Sequence, residues 1–137
     1  MNLLKALEGE GWSIQQAIQT TYSFDPRFYS SYVRPRLNKR NCDLPLVIVD
    51  GGKYEDNITE PEWSEAPIGA DYMLEPVDSN GVFHPKVNLF ASERSVFFSV
   101  SSANLTLEEY CKAAQIVQMA GFQKNWLTDN ETETEES

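Results

Sequence analysis

The sequence predicts an α/β or α+β domain built on a mixed β-sheet, and three observations carry that expectation. Segments rich in β-branched and aromatic residues outnumber segments of helical periodicity. A helical run lies between the first two of those strands, as in a crossover unit. Two later strands are separated only by Ala91 to Arg94, the length of a hairpin connection, so parallel and antiparallel pairing share one sheet.

The elements follow in order. Asn2 to Leu7 forms a first amphipathic turn or two before Gly9 and Gly11. Ile14 to Phe24 reads as a strand, β-prone towards its end. Asp25-Pro26 is a helix start, with Asp as cap and Pro at the first helical position. Phe28, Tyr29, Tyr32, Val33 and Leu37 then recur at helical spacing, and Pro35 inside this run predicts a kink or a restart. Leu44 to Asp50 is a continuous apolar run, which reads as a strand buried on both faces. The acidic stretch after it, with Pro61, Pro67 and Gly69, reads mostly as loop with room for a short helix. Asp71–Val77, Val82–Phe90 and Ser95–Val100 are further strands, Thr106 opens a helix cap, and Gln115–Met119 is a last strand. The expected organisation is one domain over 1–127 and a disordered acidic tail over 128–137.

Composition limits the functions. With 137 residues, 41% of them hydrophobic, the chain can bury a core. No apolar run approaches the ~18 residues of a membrane span, and no secretory signal is visible, so a cytoplasmic setting is expected. Cys42 and Cys111 fit neither a metal spacing nor a disulfide framework, and no cofactor or metal is expected. The net charge of -10 argues against a general polyanion binder. It is unevenly spread, however. Five acids lie in the last nine residues and eight more between Glu55 and Asp78, while Arg27, Arg34, Arg36, Lys39 and Arg40 form a local basic cluster. That cluster reads first as a solvated helix face and second as a contact to backbone phosphates. Tyr22, Tyr29 and Tyr32 read as core. Asp50-Gly51-Gly52-Lys53 lacks the Gly-x4-Gly-Lys-Ser/Thr pattern of a phosphate loop and reads as a strand-end turn.

One constellation carries chemistry. The only histidine stands in Phe83-His84-Pro85-Lys86-Val87-Asn88. On a strand, His84, Lys86 and Asn88 share one face. A hairpin turn centred between Ser92 and Glu93 would set Lys86 opposite Ser99 and His84 opposite Ser101. Ser101-Ser102-Ala103-Asn104 would then emerge beside the imidazole and the ammonium. A nucleophilic or acid-base group, a fixed cation and neutral donors around one point make a phosphate site. A lone strand histidine is usually structural; Lys86 and the Ser/Asn segment favour the site.

His84-x-Lys86 followed by Ser102-Ala103-Asn104-Leu105-Thr106 resembles the HKD signature of the phospholipase D superfamily, in its prokaryotic nuclease-like branch. Thr21-Tyr22-Ser23-Phe24-Asp25 and Val49-Asp50-Gly51-Gly52 are similar to upstream segments of that branch, so the resemblance runs from about Thr20 to Val117. It implies an α/β fold, a mixed sheet flanked by helices, and metal-independent phosphodiester hydrolysis. By the same resemblance, His84 attacks phosphorus to form a phosphohistidine, and Lys86, Ser101, Ser102 and Asn104 hold the phosphoryl oxygens. A second histidine, from a second motif, protonates the leaving oxygen.

Three positions depart from the pattern. Ala91 stands where an acidic residue is expected, with Glu93 nearby; Ser101 replaces a glycine; and Gln115 replaces the glutamate that orients the histidine. With one motif per chain, the resemblance implies a homodimer, or pairing with a second motif-bearing chain. The partner is nucleic acid or another phosphodiester, not a membrane. The rival expectation is a degenerate domain that binds phosphate or nucleic acid, or mediates assembly, without turnover.

Overall fold

In the computed structural model the described residues are 3–8, 11–78, 81, 85–101, 104–106 and 116–123, with only the backbone described at 101 and 116–123. Among them six strands form one sheet: β1 (Gln16–Thr21), β2 (Leu46–Asp50), β3 (Met73–Val77), β4 (Val87–Ala91), β5 (Ser95–Ser101) and β6 (Ile116–Gln123). Their order is β3-β2-β1-β4-β5-β6. β1 pairs parallel with β2 and β2 with β3, whereas β1–β4, β4–β5 and β5–β6 are antiparallel. The mixed sheet expected from the sequence is therefore present, and strand direction reverses between β1 and β4. The expected acidic tail, the Thr106 helix cap's continuation and Cys111 lie outside the described residues.

The connection from β1 to β2 carries α2 (Pro26–Phe28), a π-helical turn (Tyr29–Val33) and α3 (Arg34–Asn38). Asp25 caps α2 as expected, its carboxylate accepting from Arg27 N at 3.0 Å. Pro35 marks the expected restart: it stands in the first turn of α3, directly after the π-helical turn. The wider turn, closed by Arg34 N donating to Tyr29 O, accommodates a residue that has no N–H and crowds the preceding carbonyl. α3 closes through Asn41 in the left-handed region (φ 67°), with Cys42 N donating to Leu37 O at 3.1 Å.

Two sequence expectations need correction here. Gly51-Gly52 is the start of α4 (Gly51–Asn57), because Asp50 supplies a cap to Lys53 N at 3.1 Å that outweighs glycine's poor helix propensity. A short α5 (Pro61–Ser64) follows, so the acidic stretch is largely helical up to Ser64. β2 is also not buried on both faces: Val47 and Val49 are fully buried, but Leu46 and Ile48 are half-buried. The same alternation holds along β1 and β4, where Ala17, Gln19, Thr21, Asn88 and Phe90 are buried and Ile18, Thr20, Val87 and Leu89 are half-buried. The core therefore lies on one face, completed by Phe28, Tyr29, Val33 and Leu37 from the crossover and by Leu3 and Leu7 of α1 (Leu3–Leu7).

An aromatic group fills one end of that core. Tyr29 and Tyr72 approach at 4.9 Å between ring centres, and Phe24 meets Tyr29, Trp63 and Tyr72 at 5.5, 5.7 and 5.8 Å. Of the three tyrosines read as core, only Tyr29 is buried; Tyr32 is exposed, and Tyr22 is half-buried. Burial is the largest cause that keeps the Tyr29 hydroxyl protonated well above the usual phenol range, and it pushes Tyr72 up to about 12. The unfolded chain releases these protons near pH 10, and the folded chain retains them. Stability is thus full below about pH 10 and falls as pH rises towards 12, by up to about 1.4 kcal/mol per pH unit for each tyrosine. Tyr72→Phe should flatten that decline, as read by urea denaturation at a series of alkaline pH values.

Candidate phosphate-binding site

The C-terminal end of β1 is stitched to the second half of the motif. Asn104 is buried, and its Oδ1 accepts from Tyr22 N at 2.9 Å and Ser23 N at 3.1 Å, with the Thr21 hydroxyl 3.2 Å away. Thr21 Oγ1 in turn accepts from Leu105 N at 3.0 Å, and Asp25 N donates to Leu105 O at 3.0 Å. Leu105 inserts into the core, and Thr106 N closes a turn onto Asn104 O at 2.8 Å. Two backbone donors thereby fix which end of the Asn104 amide is oxygen. Its carbonyl serves the fold, and its Nδ2 is the end that can donate to a phosphoryl oxygen. Thr21–Asp25, noticed in the sequence only as a resembling segment, acquires a physical role: it holds Asn104.

Lys86 is positioned from the same strand. Thr20 Oγ1 donates to Pro85 O at 2.8 Å and accepts from Val87 N at 2.8 Å, so one hydroxyl grips the backbone on both sides of Lys86. The β1–β4 ladder ends one pair earlier, at Gln19↔Asn88. Beyond that pair the threonine side chain replaces backbone pairing. A cleft at the carboxyl end of a strand, where direction reverses, is where open α/β sheets bind ligands.

The hairpin differs from expectation by two residues in register. Asn88, not Lys86, stands opposite Ser99, and extending the ladder sets Lys86 opposite Ser101. The cause is Ser92, whose N donates to Ser95 O at 2.8 Å and whose Oγ accepts from Ser95 N at 2.9 Å. That closes the turn on Glu93-Arg94 rather than one residue earlier. A shift of two keeps every side chain on its face. Asn88 keeps the face expected of it, as its buried pairing with Ser99 shows, while Lys86 stands half-buried just before β4.

Beneath the cleft runs a buried polar chain that sequence reasoning missed. Tyr29 OH donates to Gln19 Oε1 at 2.7 Å, Gln19 Nε2 to Asn88 Oδ1 at 2.9 Å, and Asn88 Nδ2 to Ser99 Oγ at 3.3 Å. Its members come from three strands and a helix, and each is paired, which makes the chain rigid rather than costly. Lys53, on the first turn of α4 at the same end of the sheet, stands 5.4 Å from the Tyr22 ring centre and adds a cation there. Among the described residues no three His, Cys, Asp or Glu side chains converge to hold a metal ion.

His84, Ser102 and Gln115 lie outside the described residues, so the structure brings together Lys86, Asn104 and the backbone of Ser101 only. Two departures lose their force. Ala91 is five residues along β4 from Lys86, about 17 Å at the rise of a strand, and Glu93 lies farther still, exposed in the turn. A carboxylate at either place would not touch a phosphate bound beside Lys86. Ser101 ends β5 without a positive φ, so its position does not require glycine.

The basic cluster divides: Arg27 and Lys39 are exposed, Arg27 lying 3.8 Å from Glu62, whereas Arg34, Arg36 and Arg40 are committed to the fold. Arg34 donates to the carbonyls of Asp71 (2.7 Å), Cys42 (2.9 Å) and Asp43 (2.5 Å), joining loops at the amino ends of the parallel strands. Arg36 donates to Tyr32 O and pairs with Glu8 at 3.6 Å, and Arg40 is buried.

No protein-family model matches the chain, and no curated protein matches it by sequence. Solved structures do match. Yeast tyrosyl-DNA phosphodiesterase superposes with a TM-score of 0.55 at 15% identity, over 85% of this chain and 28% of that one. Nuc, a phospholipase D family member from Salmonella typhimurium, gives 0.54 at 17% identity over 96% of this chain and 80% of its own. NucT from Helicobacter pylori gives 0.50 at 14% identity, with the same coverage. The chain spans about a quarter of the yeast enzyme's length. With the mixed sheet, the reversal at β1–β4 and the pinned Asn104 in place, the chain has the phospholipase D fold that its paired motif halves implied.

Proposed function

We propose that this domain hydrolyses phosphodiesters of nucleic acid without a metal ion, through a covalent intermediate on His84. The observation that supports this reading is the convergence of two independently anchored motif halves at one end of the sheet: Lys86 held through Thr20, and Asn104 held through Thr21–Ser23. His84 is two residues before Lys86 in the chain. In the first step an imidazole nitrogen of neutral His84 attacks phosphorus, the bond to the leaving oxygen breaks, and a second imidazolium gives that oxygen its proton. Water then attacks phosphorus, its proton passes to the second imidazole, and the phosphorus–nitrogen bond breaks. Lys86 and the Asn104 amide N–H groups hold the non-bridging oxygens as charge builds on them. Nucleic acid as substrate accords with the name of the yeast enzyme that shares the fold.

Since each chain has one histidine, the second imidazole comes from another copy across a two-fold axis. Mixing wild-type chains with excess His84→Ala chains should then reduce activity more steeply than dilution does. Full activity of a monomer at micromolar concentration would remove the dimer from the scheme. Turnover of bis(p-nitrophenyl) phosphate, DNA and RNA should survive EDTA. Complete loss on chelation, restored by Mg²⁺ or Zn²⁺, would overturn the mechanism. The rival reading, phosphate binding without turnover, rests on Gln115, which can orient an imidazole but lacks the charge that stabilises imidazolium. It predicts binding of nucleic acid with no hydrolysis of any of the three substrates.

A further inference from the structure

At the opposite end of the sheet from this cleft, the end of α3, the loop before β1 and the last residues of α1 enclose a cavity of about 170 Å³. Leu7, Ile14, Phe90 and Phe97 form its apolar wall, with Trp12 beside Phe97 at 6.4 Å between ring centres. Among the described residues Arg40 is the only charged group lining it, and it is unusually placed. Its residue is 93% buried, since 7% is exposed, and Nε has no hydrogen-bond partner. Its two terminal nitrogens reach the carbonyls of Trp12 and Ala6 only at 3.5 Å each, the outer limit of a hydrogen bond. Among the described residues no carboxylate pairs with it; Glu8 is taken by Arg36.

A buried guanidinium has five donors and a charge that the surroundings must balance. Among the described residues Arg40 has two long hydrogen bonds and no counter-charge. The backbone nevertheless holds the residue firmly, Ile14 N donating to Arg40 O at 2.7 Å, so the side chain cannot simply swing out with a loose loop. Gly11 leaves room for the guanidinium: a Cβ there would stand 2.9 Å from Arg40 Cζ and Nη1. An aromatic-walled cavity with one planar, unpaired cation fits a planar anion with an apolar ring. A carboxylate matches the guanidinium fork with two parallel hydrogen bonds, and an apolar cavity of about 150 Å³ is known to take a benzene-sized ring.

We propose that this cavity is a binding site for a small monocarboxylate carrying a single apolar ring, with Arg40 receiving the carboxylate and Phe90, Phe97 and Trp12 the ring. The site is separate from the phosphate cleft and does not depend on the reading of that cleft. Its simplest probe is benzoate titrated into the full chain, followed by the NMR shift of the Trp12 indole N–H. Saturable binding is expected, at least tenfold tighter than for the neutral analogue benzyl alcohol. Arg40→Met should weaken benzoate at least tenfold while leaving benzyl alcohol little changed. Gly11→Ala, which crowds the guanidinium without entering the core, should weaken benzoate severalfold. Should Arg40→Met fail to fold, the comparison of benzoate with benzyl alcohol and the Gly11→Ala variant decide. No saturable shift with millimolar benzoate, or benzyl alcohol binding as tightly as benzoate, would overturn the proposal.

Discussion

His84→Ala is expected to lower phosphodiester hydrolysis by about 10³-fold or more, because the bond to phosphorus is assigned to it and the sequence holds no second imidazole to take that place. The fold should be indifferent to the change. Among the described residues the anchors of the site run through Thr20, Thr21 and Asn104, and the buried chain beneath it runs through Tyr29, Gln19, Asn88 and Ser99. Thermal unfolding should therefore match the wild type while the rate collapses. Lys86→Ala should act differently, weakening substrate binding as well as rate, since the ammonium holds charge present in both ground and transition states. An unchanged rate in His84→Ala would end the enzymatic reading.

The second large effect separates the two ends of one amide. Asn104→Ala removes an acceptor from the half-buried Tyr22 N and Ser23 N, at a cost of about 1–3 kcal/mol in total, while the Thr21 hydroxyl keeps Ser23 O as an acceptor. It should also loosen the second motif half, so stability and phosphate binding fall together. Asn104→Asp keeps an oxygen for those donors but loses the Nδ2–H groups and adds a negative charge. It should retain most of the stability, within about 1 kcal/mol, because a carboxylate that accepts backbone N–H bonds is well satisfied, yet bind phosphate far more weakly. Denaturation and phosphate titration of both variants check this. If Asn104→Asp bound phosphate as well as the wild type, the amide would be purely structural.

What was legible in the sequence was what local pattern encodes. Asp25-Pro26 announced α2, the apolar run Leu44–Asp50 announced β2 (Leu46–Asp50), and the short spacer at 91–94 announced a hairpin. The hairpin register was displaced because a single hydroxyl, Ser92, decides where the turn closes, and composition does not reveal which serine will do so. Gly51-Gly52 was read as a turn since glycine is a poor helix former; the cap on Asp50 outweighed it. Burial of β2 on both faces was inferred from apolar content alone, and content cannot say which faces helices cover. Gln19 and Thr20 were read only as part of a β-prone strand, and Thr21 as the start of a resembling segment with no structural role assigned to it. Their partners lie 65 to 84 residues away, so nothing near them in the chain marks them as the anchors of a site. The arginines misled for a related reason. A charge at helical spacing suggests solvent, whereas Arg34 spends its donors on three distant or turn carbonyls, and Arg40 is held inside by the loop before β1.

The motif halves were legible for the opposite reason, since their residue types are tied to chemistry rather than to secondary structure. Even so, the sequence did not show that Asn104 faces two ways, or that a hydroxyl on β1 brackets Lys86. Thr20→Val tests the latter. It should leave the sheet intact but free the Pro85–Val87 backbone, raising KM for a phosphodiester severalfold.

The most direct measurement is mass spectrometry of the intact protein, rapidly quenched during turnover of bis(p-nitrophenyl) phosphate in the presence of EDTA. The account predicts a covalent p-nitrophenyl phosphoryl adduct that is lost in acid, maps to His84 and is missing from His84→Ala. Hydrolysis proceeding at full rate with no adduct on His84, or with the adduct on another residue, would contradict it.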